Sequence, residues 1–409
     1  MNLNSLLKDI DFEPTAEDME YLEKETKEIV DTLKKNTKGE VFVGGSFAKD
    51  TLMKQKKYDV DIFVRFGSEK EITRDFEKLI GKLKGYKKDK VKGSREYYSI
   101  YKNGMARFEI VPVVKVKKPQ EAENVTDLSY FHVNYVKRKL KSPKEVRLAK
   151  AFFHACGVYG AESYINGFSG YGLECLVIYY GTFEKLIKAL EKIKDQEIID
   201  PEKQYKNKAE VLIELNESKL GSPLILVDPT FKERNVLAAL NIETFRKLQS
   251  SVRKFLANPS KRYFEKREID VSKLKKISKG QEFLEIELKT DRQEGDIAGT
   301  KLKKFSRFLV GELEKSFNIV KEDFEYDDNK TGQVFLVLKS RVEVVKQGPP
   351  LKMAKNVKAF KKEHKNTFEK GGKIYCKEKV GLTGKEFVKA WLGKNKAVVK
   401  QMSVTNMKV

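Results

Sequence analysis

The stretch Val43-Gly44-Gly45-Ser46-Phe47-Ala48-Lys49-Asp50-Thr51, followed by Asp59-Val60-Asp61-Ile62-Phe63, decides how this chain is read. Val41–Val43 reads as a short strand that stops at Gly44-Gly45, with a short helix beginning at Ser46. Asp59–Phe66 reads as a second strand. Residues two apart in a strand share a face, so Asp59 and Asp61 project together while Val60 and Ile62 point into the core. Adjacent carboxylates repel and gain nothing structurally unless a cation sits between them. Hard oxygen ligands on one strand face suit Mg²⁺. Upstream, a Gly-Gly-Ser turn opening a helix suits a triphosphate: Gly45 lets the backbone approach, and amides plus the Ser46 hydroxyl can bind phosphate oxygens. An Asp-x-Asp or a Gly-Ser turn alone is usually just solvated surface. The two in order, with twelve residues between Ser46 and Asp59, form a far more specific pattern.

A second metal needs a third carboxylate. Glu109, in Ala106-Arg107-Phe108-Glu109-Ile110-Val111-Pro112, is the best candidate, on a strand whose core face is Phe108 and Ile110. Two metals roughly 3.5–4 Å apart can serve an in-line phosphoryl displacement at the 3′-hydroxyl of a nucleic acid.

Working outward, a helix is expected over Pro14 to Lys35, with Thr15 as N-cap and Asp18 three residues on. Its apolar face is Met19, Leu22, Ile29, Val30 and Leu33. Ser68-Glu69-Lys70-Glu71 reads as a capping box for a helix with Ile72, Phe76, Leu79, Ile80 and Leu83 inward. Tyr97–Tyr101 and Met105–Val116 are predicted strands joined at Lys102-Asn103-Gly104. Residues 142–257 read as mostly helical. Ser142-Pro143-Lys144-Glu145 is a second capping box, a long helix runs from Ser169 to about Lys194, and another from Asn241 to Ala257. From Gly280 a β-α-β-β order is predicted: strand Gln281–Lys289, helix Thr300–Phe317 with Leu302, Phe305, Phe308, Leu309 and Leu313 on one side, then Ile319–Asp327 and Gln333–Val345. Gly348-Pro349-Pro350 punctuates the chain.

Composition narrows the partners. The chain has 409 residues and a formal net charge of +23, with 35% charged and 40% hydrophobic residues. Such a basic balance points to nucleic acid or an anionic membrane. No apolar run approaches the ~20 residues of a membrane span, and the beginning, MNLNSLLKDIDFEPTAED, lacks the apolar stretch of a signal peptide. Cys156, Cys175 and Cys376 form neither a zinc spacing nor a disulfide framework, which fits a reducing cytoplasm. Residues 348–409 hold 16 Lys, no Arg and 4 Glu, so 16 − 4 = +12, about half the net charge.

The Gly45-Ser46, Asp59-x-Asp61 and later-carboxylate pattern resembles the DNA polymerase beta nucleotidyltransferase superfamily. That alone leaves polymerases, poly(A) polymerases and antibiotic nucleotidyltransferases open. Further stretches resemble archaeal-type (class I) CCA-adding enzymes: Asp127-Leu128-Ser129-Tyr130-Phe131-His132; Glu145 to Lys150; Gly157-Val158-Tyr159 through Gly167-Phe168-Ser169-Gly170-Tyr171; Val227-Asp228-Pro229 with Arg234-Asn235-Val236; and Gly348-Pro349 with Asn356 to Phe360. This chain has Asp59-x-Asp61 where that family usually has Glu-x-Asp, Glu109 where it has Asp, and Lys49 where it has arginine. The resemblance implies that Asp59, Asp61 and Glu109 hold Mg²⁺, and that Gly45, Ser46, Lys49, His132, Lys150, Tyr159, Ser169 and Tyr171 line the nucleotide site. Within that site His132, Lys150 and Tyr159 would meet the triphosphate or ribose, and Arg234, helped by Asp228, would read the incoming base. His154 fits no motif and reads as structural.

The expected molecule is a multidomain α+β protein. It would have a catalytic head at 1–140, a helical neck at 141–257, a small α+β body at 258–347 and a basic tRNA-binding tail at 348–409. Its expected partners are tRNA, through acceptor stem and elbow, and CTP and ATP as substrates, with no membrane and a homodimer left open. A poly(A)-type or oligoadenylate-synthesising enzyme is the alternative reaction. An idle RNA-binding protein on the same scaffold is the alternative class.

Overall fold

The computed structural model describes residues 3–10, 12–265 and 269–409. The chain forms two compact units, Met1–Arg267 and Glu268–Val409. No helix among the described residues is long and apolar enough to cross a membrane.

The first unit begins with α1 (Leu3–Lys8) and α2 (Ala16–Asn36), then β1 (Glu40–Val43), α3 (Gly45–Ala48), β2 (Tyr58–Phe66), α4 (Glu69–Gly81), β3 (Lys87–Val91), β4 (Tyr97–Tyr101) and β5 (Ala106–Val114). Thr15 and Asp18 close a reciprocal capping box at the start of α2, as the sequence predicts. Ser68 caps α4, but the Glu71 carboxylate accepts from the Gly67 amide at 2.9 Å rather than from Ser68. The five strands run in the order β1-β2-β5-β4-β3. β2 and β5 are parallel, with Val60 opposite Phe108, Asp61 opposite Glu109 and Ile62 opposite Ile110. Val60, Phe108, Ile62 and Ile110 enter one core with Leu22, Ile29 and Leu33 of α2 and Phe76 and Leu79 of α4. Because strand side chains alternate, that burial turns Asp61 and Glu109 to the opposite face. β3 is absent from the sequence reading. Its residues Lys87-Lys88-Asp89-Lys90-Val91 are polar and largely exposed at a sheet edge, where charge prevents further strand pairing.

Next come α5 (Ser129–Lys139), α6 (Pro143–Ala155), α7 (Gly170–Tyr180), α8 (Phe183–Lys192), β6 (Glu197–Ile199), α9 (Lys208–Glu214), β7 (Leu224–Asp228), β8 (Phe231–Asn235) and α10 (Ile242–Ala257). Two expectations are corrected here. The helix expected over Ser169–Lys194 is two helices: Gly181 adopts a φ of +86° and Thr182 caps α8, a combination that ends one helix and starts another. The Ser142 capping box does not form; Glu145 instead accepts from the Phe183 amide at 2.7 Å, at the first turn of α8. The region is mostly helical, as expected, with a three-stranded sheet of β6, β7 and β8 added to it. Its core gathers Phe152, Phe153, Phe168, Phe183 and Phe255 with Leu173, Leu176 and Leu186.

The second unit contains α11 (Val271–Ile277), β9 (Glu282–Lys289), α12 (Asp296–Glu314), β10 (Phe317–Tyr326), β11 (Thr331–Ser340), β12 (Glu343–Pro350), α13 (Ala354–Glu363), β13 (Thr367–Lys370), β14 (Lys373–Lys379), α14 (Gly384–Lys394), α15 (Lys396–Gln401) and β15 (Asn406–Lys408). The β-α-β-β order holds, in a sheet ordered β10-β11-β9-β15. Leu302, Phe305, Leu309 and Leu313 of α12 are buried, whereas Phe308 stays exposed at 37%. The end of the basic segment is part of this core: β15 pairs with β9, and Val388, Trp391, Val399, Val404 and Met407 pack with Phe305 and Leu336.

Candidate active site

Backbone constraint comes first. Gly45 opens α3 with a φ of +60°, and a Cβ there would lie 1.7 Å from Asp61 Oδ2. Only glycine fits. The Gly44 amide donates to the Asp61 carbonyl at 2.8 Å, so the glycine turn and the carboxylate strand are locked together.

Asp59 is exposed, and Asp61 and Glu109 are half-buried. All three hold protons more tightly than usual. For Asp61, burial dominates, with Lys49 pulling the other way and Asp59 adding repulsion. Burial and the charges of Asp61 and Asp59 push Glu109 up to about 8. Although Asp59 is exposed, the protein around its carboxylate withdraws water from it and raises its pKa against the pull of Arg107 and Lys57. Tyr97 donates to Glu109 Oε1 at 3.3 Å. Asp59 adds to the proton affinity of Asp61, and both add to that of Glu109; such a carboxylate set, on a face closed by a glycine that leaves room for nothing larger, fits a divalent cation.

Next to them is a sealed charge cluster that the sequence reading did not foresee. Lys49 Nζ lies 2.5 Å from Glu174 Oε2, with side chains 9% and 1% exposed. Thr51 Oγ1 donates to Glu174 Oε1 at 2.7 Å. Lys150 Nζ donates to the Thr51 carbonyl at 2.9 Å and reaches Glu174 Oε1 at 3.4 Å. Burial works against the Glu174 charge, but Lys49 and Lys150 outweigh it and lower its pKa. Burial lowers that of Lys150. A signal for Glu174 existed: it is the only charged residue in Gly-Tyr-Gly-Leu-Glu-Cys-Leu-Val-Ile-Tyr-Tyr, the sequence of α7.

A third group is built on the β7–β8 hairpin. Asp228 is fully buried. Its Oδ1 accepts from the Thr230 amide and hydroxyl at 2.8 Å each and from Tyr171 at 3.1 Å. Its Oδ2 accepts from Arg234 Nη1 at 2.8 Å and His132 Nε2 at 3.1 Å. Burial opposes the Asp228 charge, yet His132, Arg234 and Thr230 together hold its carboxyl well below the usual range. The His132 ring stacks on Tyr171 with centroids 4.0 Å apart, and burial lowers its pKa. Arg234 therefore belongs to a strand, and its guanidinium is fixed by a permanently charged partner while 23% exposed. Gln204 adds a bond to the Asp228 carbonyl at 2.8 Å; no sequence pattern marked it.

The remaining expected residues divide. Tyr159 packs 4.1 Å from His154; burial and the negative charges of Glu174, Glu162 and Asp61 raise its pKa. Ser169 uses its hydroxyl as the N-cap of α7, accepting from Gly172 at 3.0 Å and donating to the Val236 carbonyl at 3.4 Å. Asp127, in the segment that leads to His132, is structural: it accepts from Arg95 at 2.6 Å and from the Val114 amide at 2.8 Å.

Comparison with known proteins supplies the family. Residues 23–117 match the nucleotidyltransferase domain and residues 144–265 the second domain of tRNA nucleotidyltransferases. The CCA-adding enzyme of Nanoarchaeum equitans is 34% identical over 373 residues, covering 89% of this chain and 90% of that one. The CCA-adding enzymes of Saccharolobus shibatae and Thermoplasma volcanium are 32% and 31% identical, and the chain spans 58% and 53% of their lengths. A solved cytoplasmic RNA terminal U-transferase shares the fold at 12% identity, with a TM-score of 0.50 over 65% of this chain and 98% of that one. Nucleotidyltransferases of this kind work with divalent metal ions, and the carboxylate face built on Asp61 and Glu109 is of the matching chemistry. With a matching model in each half of the first unit and one relative aligned over nearly its whole length, the chain belongs to the family of archaeal CCA-adding enzymes, the tRNA nucleotidyltransferases.

Proposed function

We propose that this enzyme builds and repairs the 3′-terminal CCA of tRNA from CTP and ATP. The tRNA 3′-oxygen forms a bond to the α-phosphorus, the bond to the β-phosphate oxygen breaks, and pyrophosphate leaves. Asp59, Asp61 and Glu109 would hold Mg²⁺, which when bound favours ionisation of the 3′-hydroxyl and offsets charge on the leaving group. The head, 1–140, carries that chemistry, and the neck, 141–257, carries nucleotide selection.

The carrying observation is one of placement. Lys49, at the end of the turn whose Gly45 abuts Asp61, pairs with Glu174 of α7, and Tyr171 of the same helix holds Asp228, the partner of Arg234. These contacts join the carboxylate face to the fixed guanidinium of Arg234, which is where a triphosphate lies if its α-phosphate is at the metals and its base at the arginine. Gly45 gives the phosphates access to the backbone. Lys49 and Lys150 neutralise them, and Tyr159 borders the same space.

Base choice follows from Arg234. Cytosine and adenine both present a ring nitrogen acceptor beside an amino group; uracil and guanine present a ring N–H beside a carbonyl. A guanidinium held by Asp228 donates to the first pair and meets a donor in the second. Buried donors left unpaired are the strongest source of rejection. The lysine-rich segment 348–409 would bind tRNA away from the reacting end, at the elbow, and the reaction would take place in the cytoplasm.

The test uses tRNA lacking CCA, one labelled nucleotide at a time, with product sequencing. Addition of CTP, then ATP, then arrest is expected. Open-ended adenylate or any uridylate tail overturns the reading.

A further inference from the structure

Among the described residues, one set of three metal-ligating side chains brings its donor atoms all within 4.8 Å of one another, and it is not in the head: His364, Cys376 and Glu378. They belong to the module formed by β12, α13, β13 and β14, a three-stranded sheet ordered β12-β14-β13 with one helix. Between residues 343 and 379 only Ile374 and Cys376 are buried, and α13 buries no side chain at all. The apolar core of the second unit draws its residues from outside this stretch. A module this small, with so little apolar burial, is of the kind that usually depends on a staple such as a disulfide or a metal.

The donors are arranged for one. Ile374, Cys376 and Glu378 alternate along β14 and so share a face. His364 is the C-cap of α13, with its amide bonded to the Phe360 carbonyl at 3.0 Å and its ring 4.3 Å from that of Phe360. His364 Nδ1 lies 2.5 Å and Cys376 Sγ 3.9 Å from Glu378 Oε1. Lys346, directly opposite Cys376 on β12, holds the other oxygen, Glu378 Oε2, at 2.5 Å. The lysine thereby leaves Oε1 as the atom that faces the imidazole and the thiol. Such outer contacts orient metal ligands. A thiolate, an imidazole and a carboxylate make a set for zinc and not for magnesium, so its chemistry is distinct from the all-oxygen face of the head.

We propose that His364, Cys376 and Glu378 bind one Zn²⁺, which clamps the end of α13 to β14 and stabilises this module. Binding would displace the proton of the Cys376 thiol into solvent and separate the His364–Glu378 contact enough to admit the ion. The competing outcome is a hydrogen-bonded His364–Glu378 pair over a buried cysteine, with no affinity for metal.

The experiment takes the full-length protein, stripped with chelator, and titrates it with Co²⁺, whose bond to a thiolate gives a charge-transfer band in the near ultraviolet. The expected result is one such site per chain, displaced by Zn²⁺. The band should be absent in Cys376→Ser, weakened more than about tenfold in affinity in His364→Gln, and retained in Cys156→Ser and Cys175→Ser. Zn²⁺ should raise the melting temperature of the wild type more than that of His364→Gln, which keeps the buried thiol and so reads the site even if Cys376→Ser folds poorly. No thiolate band in the wild type, a band that survives in Cys376→Ser, or an equal melting shift in wild type and His364→Gln overturns the proposal.

Discussion

Lys49, at the end of the glycine turn, and Glu174, inside an otherwise uncharged helix, close an ion pair at 2.5 Å almost sealed from solvent. Glu174 also reaches Lys150 at 3.4 Å, so one carboxylate balances two cations. Removing one partner of a buried ion pair leaves charge uncompensated and costs about 3–5 kcal/mol. Glu174→Gln is therefore expected to lower the melting temperature of the nucleotide-free enzyme markedly. Triphosphate oxygens supply the missing negative charge, so CTP with Mg²⁺ should raise the melting temperature of the variant more than that of the wild type. Equal ligand-induced shifts would mean that these lysines do not meet the phosphates.

Glu109 gives a prediction in pH. In metal-free enzyme, burial and the neighbours Asp61 and Asp59 hold its carboxyl at about 8 against an ordinary 4.5. Between those values the folded chain keeps a proton that the unfolded chain has released. Its stabilising contribution is complete below pH 4.5 and is lost as pH rises through 8, with a slope of at most ~1.4 kcal/mol per pH unit. Denaturant melts in chelator across pH 5–8, on the order of one unit apart, should show stability falling with pH. Glu109→Gln should flatten the decline, and so should saturating Mg²⁺ in the wild type. A wild-type profile as flat as that of Glu109→Gln would remove the carboxylate cluster as its source.

Arg234 and Asp228 make the case for base choice. The guanidinium is 2.8 Å from a carboxylate with no exposed surface. Arg234→Ala should reduce the ratio of kcat/KM for CTP over UTP by at least about tenfold, since a hydrogen-bonding site discriminates through the donors it would leave unpaired. Transfer itself should persist. Asp228→Asn should act in the same direction while also loosening His132, which shares Oδ2. A ratio unchanged in Arg234→Ala would assign base reading elsewhere.

How much of this was legible in sequence depends on periodicity. Asp59, Asp61 and Glu109 could be read because Val60, Ile62, Phe108 and Ile110 alternate with them, and one register pairs both sets. β3 could not, since an edge strand of Lys87-Lys88-Asp89-Lys90-Val91 carries no apolar alternation. The β7–β8 hairpin was hidden for a different reason: Leu224–Asp228 is buried at every position, so no alternation separates it from a buried helix. Arg234 and Asp228 were reached through resemblance and not through pattern. Glu174 was visible as a lone charge in an apolar helix, yet nothing local says that its partners lie at Lys49 and Lys150, far away in sequence. The break at Gly181-Thr182 had a cap residue to announce it, but an apolar periodicity running through Phe183 and Leu186 masked the stop.

The basic segment is where structure changes the experiment. Deleting 348–409 is the natural test of a tRNA-binding tail, but the deletion removes Trp391, Val399 and Met407 from the core they share with Phe305, along with the strand that pairs with β9. Loss of several buried apolar side chains costs about 2–5 kcal/mol each. The truncated protein should therefore melt far below the full chain, and its fall in activity would say nothing about RNA. Charge must be removed without touching the core. Lys355, Lys358 and Lys362 of α13 are all exposed, and changing them to glutamine should leave the melting temperature unaltered. If they neutralise phosphates, the slope of log K against log salt for full-length tRNA should flatten by up to about 0.7–0.9 for each phosphate no longer neutralised. KM for tRNA should rise while kcat at saturating RNA holds. An unchanged salt slope would show that this helix does not meet the RNA, even though the segment from 348 to 409 carries 16 lysines against 4 glutamates.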